Sequence, residues 1–280
     1  MTDDFRLDRS VSNYAVLGNP IKHSKSPRIH SLFAEQTAIA LRYRSIEVPT
    51  DKFDKYVESF ASQGGLGLNI TVPFKEEAYS FCSSLTQRAE LCGSVNTIRF
   101  DETLNSYGDT TDGQGFINDL RVNHRIDVKD KTVLILGAGG SVKAILEPLC
   151  QEQPAQITIA NRTVSRAEEL ADKFSEFGNI TACSYSDISL HPFDLVINGT
   201  SLSLKGELPA ITGTVINKGT CCYDLMYSDT ATVFMRWASD LGAVKVMDGL
   251  GMLVEQAAES FLIWHGVKPQ TTSVINALRK

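Results

Sequence analysis

Short apolar runs alternate along the chain with longer stretches of helical spacing, a rhythm that predicts strands alternating with helices. In the first part, strands are expected over 14–18, 41–48 and 66–72, with a hairpin pairing 95–100 with 103–108. Asn19-Pro20 and Pro73 end the first and third of these strands. A helix is expected from Ser26 to about Ala38, with Ser26 as its N-cap and Pro27 at the first helical position. Another covers 51–62, more helix follows Pro73, and one spans 113–122. A second series then begins. Its strands are expected over 132–136, 156–160, 180–184, 195–198, 220–225 and 244–247, and its helices over 142–150, 165–174 and 231–241. Two long amphipathic helices, 251–265 and 271–278, close the chain. The continuous apolar run Val133, Leu134, Ile135, Leu136 suits a parallel strand covered on both faces. The two series predict an α/β protein with two α/β domains flanking a cleft.

Composition agrees with that reading. A length of 280 residues accommodates two domains, and 42% apolar residues supply a core. The net charge of −6 points away from nucleic acid. The first residues, Met1 to Arg9, have no apolar stretch of the signal-peptide kind, and no run approaches a membrane span. No membrane partner is expected, and the expected location is the cytoplasm. The six cysteines form no CxxC pair and the five histidines no HExxH, so no metal is expected. Cys221 and Cys222 are adjacent, but neighbours on a strand point to opposite faces.

The chemistry concentrates in a few short pieces. The strand 133–136 runs into Gly137, Ala138, Gly139, Gly140 and Ser141 and then a helix, the order a dinucleotide phosphate needs. Val142 stands at the third fingerprint position, where Gly or Ala is usual, and a glycine turn merely joining strand to helix would read similarly. About 20 residues on, where an NAD site carries an acid for the ribose hydroxyl, the chain has Asn161, Arg162, Thr163 and Arg166. Two guanidinium groups and no acid fit a 2′-phosphate, hence NADP(H), against the plainer reading of a helix start with solvated arginines.

In the first part, Ser24 and Ser26 flank Lys25 before a proline, so extended backbone presents both hydroxyls on one side. A turn and a cap would account for them equally well. Strand alternation puts Asn69 and Thr71 on one face and Ile70 and Val72 in the core. Lys75 lies in the first turn of a helix, where the dipole disfavours a cation, a broken local rule of the kind function imposes. Asp112 precedes a helix and either caps it or pairs with Lys75. Met252 and Gln256 lie one turn apart on one helix, as either site residues or core and surface.

Six blocks stand in order: Gly18 to Pro27 (GNPIKHSKSP), Asn69 to Glu77 (NITVPFKEE), Ser94 to Thr97 (SVNT), Gly108 to Gly113 (GDTTDG), Asn161 to Arg166 (NRTVSR) and Asp248 to Gln256 (DGLGMLVEQ). Together they resemble the shikimate dehydrogenases, from about Tyr14 to the last helix. The resemblance implies a substrate-binding domain of residues 1–112 and 250–280, on a smaller mixed α/β sheet. Residues 113–249 would form an NADP-binding domain with a Rossmann-type parallel sheet. It assigns Ser24 and Ser26 to the substrate carboxylate, and Asn69, Thr71, Asn96, Asp112 and Gln256 to the ring hydroxyls. Tyr227, in the motif Tyr223 to Tyr227 (YDLMY), becomes a substrate contact, with Leu225, Gly249 and Met252 at the nicotinamide end. Ser141 replaces a more usual Ala, Gln87 stands where many relatives carry an acid, and the residues before Tyr14 match nothing and are expected to form a mobile arm.

The implied reaction is reversible reduction of 3-dehydroshikimate to shikimate by NADPH, with Lys75 as proton donor and Asp112 holding it charged. The rivals are a quinate/shikimate dehydrogenase of broader specificity and a non-catalytic NADP-binding sensor. NAD-using members of the former tend to carry an acid where this chain has Arg162-Thr163, and the latter would be expected to lose the Lys75–Asp112 pair. The partner expected is the small-molecule substrate alone, with the chain acting as monomer or homodimer.

Overall fold

A computed structural model of the chain describes Phe5, Leu7, Asp8 and residues 10–279. These residues divide into two compact units. One holds the chain up to Gly115 together with Val254–Leu278, and the other Phe116–Leu253 with Arg279. The divisions fall inside helices, a few residues beyond the positions the sequence suggested.

The first unit opens with β1 (Ser12–Gly18), α1 (Ser26–Thr37), β2 (Leu41–Glu47), α2 (Phe53–Ser62) and β3 (Gly65–Ile70). It continues with α3 (Lys75–Phe81), a two-residue β4 (Ser84–Leu85), α4 (Gln87–Cys92), β5 (Thr97–Phe100) and β6 (Ser106–Asp109). The six strands form one mixed sheet in the order β2-β1-β3-β5-β6-β4. β1 pairs parallel with both neighbours, and β5 pairs antiparallel with β3 and with β6, the expected hairpin. Leu17, Phe60, Leu68, Phe74 and Ile98 belong to its main apolar cluster.

Three local expectations are corrected here. Ser26 is not the N-cap: α1 begins at Ser26 itself, Lys25 takes the cap position without a side-chain bond, and Ser24 Oγ accepts the Ser26 amide proton at 3.3 Å. Val72 is 63% exposed, because β3 ends at Ile70 and strand alternation lapses in the turn that follows. The expected mobile arm is tied down where it is described. Phe5 sits edge-on against Tyr56 and Phe60, its N–H donates to Gln63 Oε1 at 2.8 Å, and its carbonyl accepts from Arg44 Nη1 at 2.8 Å. Residues 1–4, 6 and 9 of that arm lie outside the described residues.

A fully buried histidine sits in this unit. His30 stacks on Tyr43, with ring centroids 4.1 Å apart and planes within 8°, and neither ring nitrogen makes a well-formed hydrogen bond. Burial pushes its pKa down to about 3, which Asn69 opposes by favouring the charged form. Unfolding restores a value near the ordinary 6.5, so below that pH the unfolded chain binds one more proton than the folded one. Stability therefore falls as pH drops from about 6.5 toward 3, by up to about 1.4 kcal/mol per pH unit from this group. Urea titrations at pH 6.5 and 5.0 should show the wild type losing about 2 kcal/mol more than His30→Leu. Equal losses would show that His30 is not the acid-sensitive group.

The second unit begins within α5 (Asp112–Asn118), which widens into a π turn over Asp119–Asn123. Then follow β7 (Thr132–Leu136), α6 (Gly140–Gln151), β8 (Gln156–Ala160), α7 (Val164–Lys173), β9 (Ile180–Cys183), β10 (Leu195–Asn198), β11 (Cys221–Asp224), α8 (Val233–Asp240) and β12 (Lys245–Met247). The sheet is all parallel, in the order β12-β11-β10-β7-β8-β9. Counted within the unit, this is the 3-2-1-4-5-6 order of the Rossmann fold, with its switch point between β7 and β10. The apolar run of β7 is covered on both faces: Val133 and Ile135 join one buried cluster, Leu134 and Leu136 another. Cys222 packs into the second cluster and Cys221 against the first, on opposite faces of β11.

The last helices are α9 (Leu250–His265), whose residues from Val254 belong to the first unit, and α10 (Thr272–Leu278), shorter than the pattern suggested. Glycines allow close helix approaches within each unit. A Cβ on Gly115 would lie 2.6 Å from the Gln256 backbone nitrogen, and one on Gly251 would lie 1.9 Å from Asp119 Oδ1. No helix among the described residues is long and apolar enough to cross a membrane.

Candidate active site

In the second unit, the glycine loop sits at the carboxyl end of β7, beside the switch point. Gly137 has φ +106°, a left-handed conformation that glycine adopts without strain, and its N–H donates to the Ala160 carbonyl at 2.8 Å. A Cβ on Gly139 or Gly140 would meet nothing within 4 Å. Internal packing therefore does not demand glycine at these two positions. The open space leaves the backbone N–H groups at the start of α6 accessible, as an anion at a helix amino terminus requires. Ala138 and Ser141 complete the loop. The missing third glycine is explained by its neighbour: a Cβ on Gly199, just past β10, would lie 2.2 Å from Val142 Cγ2. Gly199 supplies the room that the helix residue usually gives up, and Val142 is fully buried.

Asn161, Arg162 and Thr163 follow β8, and Arg166 lies in the first turn of α7. Asn161 Nδ2 donates to the Thr163 carbonyl at 2.8 Å, which shapes the turn. Both arginines are exposed, and neither makes a salt bridge among the described residues. Arg162 lies near the Tyr185 hydroxyl and favours its ionised form, against the burial that raises that group's pKa. Two unneutralised cations thus stand just past β8, where a 2′-phosphate would be read.

Leu225 follows β11 and is buried in the same cluster as Met252. Gly249 donates to the Met226 carbonyl at 3.1 Å, and a Cβ there would lie 2.2 Å from the Leu225 carbonyl oxygen, so only glycine fits. Tyr227 is half-buried in this unit, and burial raises its hydroxyl pKa. Beneath these residues Tyr223 Oη donates to the buried Asp119 carboxylate at 2.6 Å, which also accepts from Asn123 at 2.9 Å.

In the first unit, five of the polar candidates, Lys75, Asp112, Asn96, Gln256 and Asn69, form one hydrogen-bonded string. Lys75 is the first residue of α3, and its Nζ contacts Asp112 Oδ2 at 2.5 Å. The pair is partly shielded, with side-chain exposures of 28% and 12%, so it is neither a solvated surface bridge nor sealed from a ligand. Asp112 Oδ1 accepts from Asn96 Nδ2 at 2.8 Å, which fixes the carboxylate from its other side. Asn96 is itself locked: Oδ1 accepts from the Thr111 amide and the Thr97 hydroxyl, and Nδ2 also reaches Thr111 Oγ1 and Gln256 Oε1.

The string continues through β3. Asn69 Nδ2 donates to the Asn96 carbonyl at 3.1 Å and to Ser260 Oγ at 2.9 Å. Its Oδ1 accepts from Tyr43 Oη at 2.7 Å. Burial holds the Tyr43 hydroxyl pKa well above its usual range, against the opposing influence of Ser26. Ser24 and Ser26 stand apart from this string and are tied to each other, Ser24 Oγ accepting the Ser26 amide proton. Thr71, just past β3, is placed by its N–H to the Leu17 carbonyl at 2.9 Å, and its methyl fills the space Gly18 leaves. Sequence reading missed Tyr43, Thr97, Thr111 and Ser260. Ser260 was within reach, since it lies one turn beyond Gln256 on α9 and donates back to the Gln256 carbonyl.

Comparison with known proteins shows the family. Residues 16–98 match the family model described as the shikimate dehydrogenase substrate binding domain. Residues 121–206 match shikimate / quinate 5-dehydrogenase, and residues 249–279 the shikimate 5′-dehydrogenase C-terminal domain. A shikimate dehydrogenase (NADP(+)) of Marinobacter nauticus is 54% identical over 269 residues, 95% of this chain and 98% of the relative. Among solved structures, an Ael1 enzyme from Pseudomonas putida aligns with a TM-score of 0.91 at 38% identity, over 96% of this chain and 98% of that one. Shikimate dehydrogenase from Aquifex aeolicus aligns with a TM-score of 0.87 at 31% identity, over 98% of this chain and all (100%) of that one. The chain belongs to the shikimate dehydrogenase family.

Proposed function

We propose that Lys75 and Asp112 are the catalytic residues of an NADP-dependent shikimate dehydrogenase, which reversibly reduces 3-dehydroshikimate to shikimate on the route to aromatic amino acids. The observation that carries this reading is the Lys75–Asp112 ion pair, locked by Asn96. Bound NADPH supplies the hydride. The residues of the chain must then manage the charge that develops on the substrate oxygen. Lys75 Nζ donates the proton to that oxygen, and Asp112 hydrogen-bonds the reacting hydroxyl and keeps the ammonium charged. The locked geometry means the site need not reorganise as charge develops.

Ser24 and Ser26 take the substrate carboxylate, while Asn69, Thr71, Asn96, Gln256 and Tyr227 read its hydroxyls. Gly137, Ala138, Gly139, Gly140 and Ser141 cradle the pyrophosphate, Asn161, Arg162, Thr163 and Arg166 hold the 2′-phosphate, and Leu225, Gly249 and Met252 line the nicotinamide end. Residues 1–112 with 250–280 act as the substrate domain and 113–249 as the cofactor domain, in the cytoplasm, as monomer or homodimer. Specificity constants for shikimate and quinate, each with NADP+ and NAD+, test the reading. Shikimate with NADP+ should be the best pair. Equal values for quinate would favour a broader enzyme.

A further inference from the structure

Arg88, on α4, has no part in the site as described, yet it grips the residue from which the Asp112 segment sets out. Its Nε donates to Asp109 Oδ1 at 2.6 Å and its Nη2 to Oδ2 at 2.7 Å, a paired geometry that fixes the plane of the carboxylate as well as its place. Thr86, just before α4, donates to Oδ1 at 2.7 Å, and the Thr110 amide donates to the same oxygen at 2.7 Å. Four donors thus converge on one buried carboxylate at the end of β6.

From Asp109 the chain reaches Asp112 in three residues, and each of them is pinned. The Thr110 amide is held by Asp109 itself, the Thr111 amide donates to Asn96 Oδ1 at 2.9 Å, and the Asp112 carboxylate accepts from Asn96 Nδ2 at 2.8 Å. The Asn96 amide donates in turn to the Asp109 carbonyl at 3.0 Å. Asn96 and Asp109 therefore hold each other, and together they hold the segment that carries Asp112. Arg88 anchors this ring of bonds with a charge from another element. Asp109 is only 7% exposed, so without the guanidinium its carboxylate would have to turn toward water. The Thr110 amide and the Asn96 contact would move with it.

We propose that Arg88 is a positioning residue that acts through Asp109 to set where Asp112 meets Lys75. This rests on the assignment of Lys75 and Asp112 to the chemistry. A displacement of about 1 Å can cost about 10²-fold in rate. Lysine at position 88 keeps the charge and loses the fork. In the reduction of 3-dehydroshikimate by NADPH, Arg88→Lys should lower kcat about tenfold and Arg88→Ala about a hundredfold. KM for NADPH should not change, because the cofactor segments lie in the other unit. With proton donation slowed, the solvent deuterium isotope effect on kcat should rise in both variants. That ratio does not depend on the fraction of enzyme that is folded, so a loss of structure alone leaves it where it was. The Arg88 side chain is 31% exposed, so a guanidinium ion from solvent can reach the vacated place. Millimolar guanidinium should restore part of the turnover of Arg88→Ala and none of that of Asp109→Ala, which has no carboxylate to receive it.

Lys75→Ala, measured alongside, keeps the two claims apart. Near-normal turnover in that variant removes the assignment of the catalytic pair. If Lys75→Ala is slow but Arg88→Lys turns over like the wild type, or slows with its isotope effect unchanged, the role of Arg88 is overturned and the catalytic pair stands. Equal gains from guanidinium in the two alanine variants overturn the pairing with Asp109. Should Arg88→Ala not fold, Arg88→Lys retains a cation beside Asp109 and carries the isotope test alone.

Discussion

Replacing Lys75 with alanine should lower kcat by roughly 10²–10⁴-fold, the usual contribution of a positioned general acid, while KM for shikimate changes far less. The side chain stands at the amino end of α3, where the helix dipole disfavours a cation, and it is held there by its ion pair with Asp112. Without the ammonium, Asp112 keeps its hydrogen bond from Asn96 but has no proton to relay. Steady-state kinetics in both directions separates the effects. A variant with near-normal turnover would remove Lys75 from the chemistry. One with a large rise in KM and unchanged kcat would make it a binding residue.

The second large effect concerns the cofactor. Arg162→Ala combined with Arg166→Ala should raise KM for NADP+ by about 10²-fold, the loss expected when charge-assisted hydrogen bonds worth about 3 kcal/mol in total are removed. KM for NAD+, which has no 2′-phosphate, should hardly move. Neither arginine is committed to a salt bridge among the described residues, so the substitutions leave no buried carboxylate unpaired. Kinetics with both cofactors reads the ratio directly. Equal losses for NADP+ and NAD+ would mean that the two arginines serve the fold or the pyrophosphate and not the 2′-phosphate.

Much of this organisation was legible in the sequence, because it rests on local rules. The apolar run 133–136 implied a strand covered on both faces, and its residues do divide between two buried clusters. The dipole violation at Lys75 marked a residue held by something outside its own helix, and that something is Asp112. Local rules also misled. Ser26 has the residue type and the following proline of a good N-cap, yet α1 begins at Ser26 itself and Lys25 takes the cap position. Val72 continued the strand alternation on paper, but the turn after Ile70 exposes it.

What the sequence withheld was long-range. Val142 looked like a weakness in the phosphate loop until Gly199, just past a strand far along the chain, proved to make room for it. Nothing near Tyr43 marks it as polar machinery, because its hydrogen-bond partner Asn69 comes from β3 and its stacking partner His30 from α1. The π turn at Asp119 was equally hidden. It begins at a buried carboxylate that meets Tyr223 from β11, and helical periodicity carries no trace of such a partner.

The account rests most heavily on one reaction, and one measurement reaches it directly. Purified chain is mixed with shikimate and NADP+, nicotinamide reduction is followed, and the product is identified. The account predicts steady reduction with one 3-dehydroshikimate formed per NADPH. Folded protein that binds NADP+ and produces neither would contradict it.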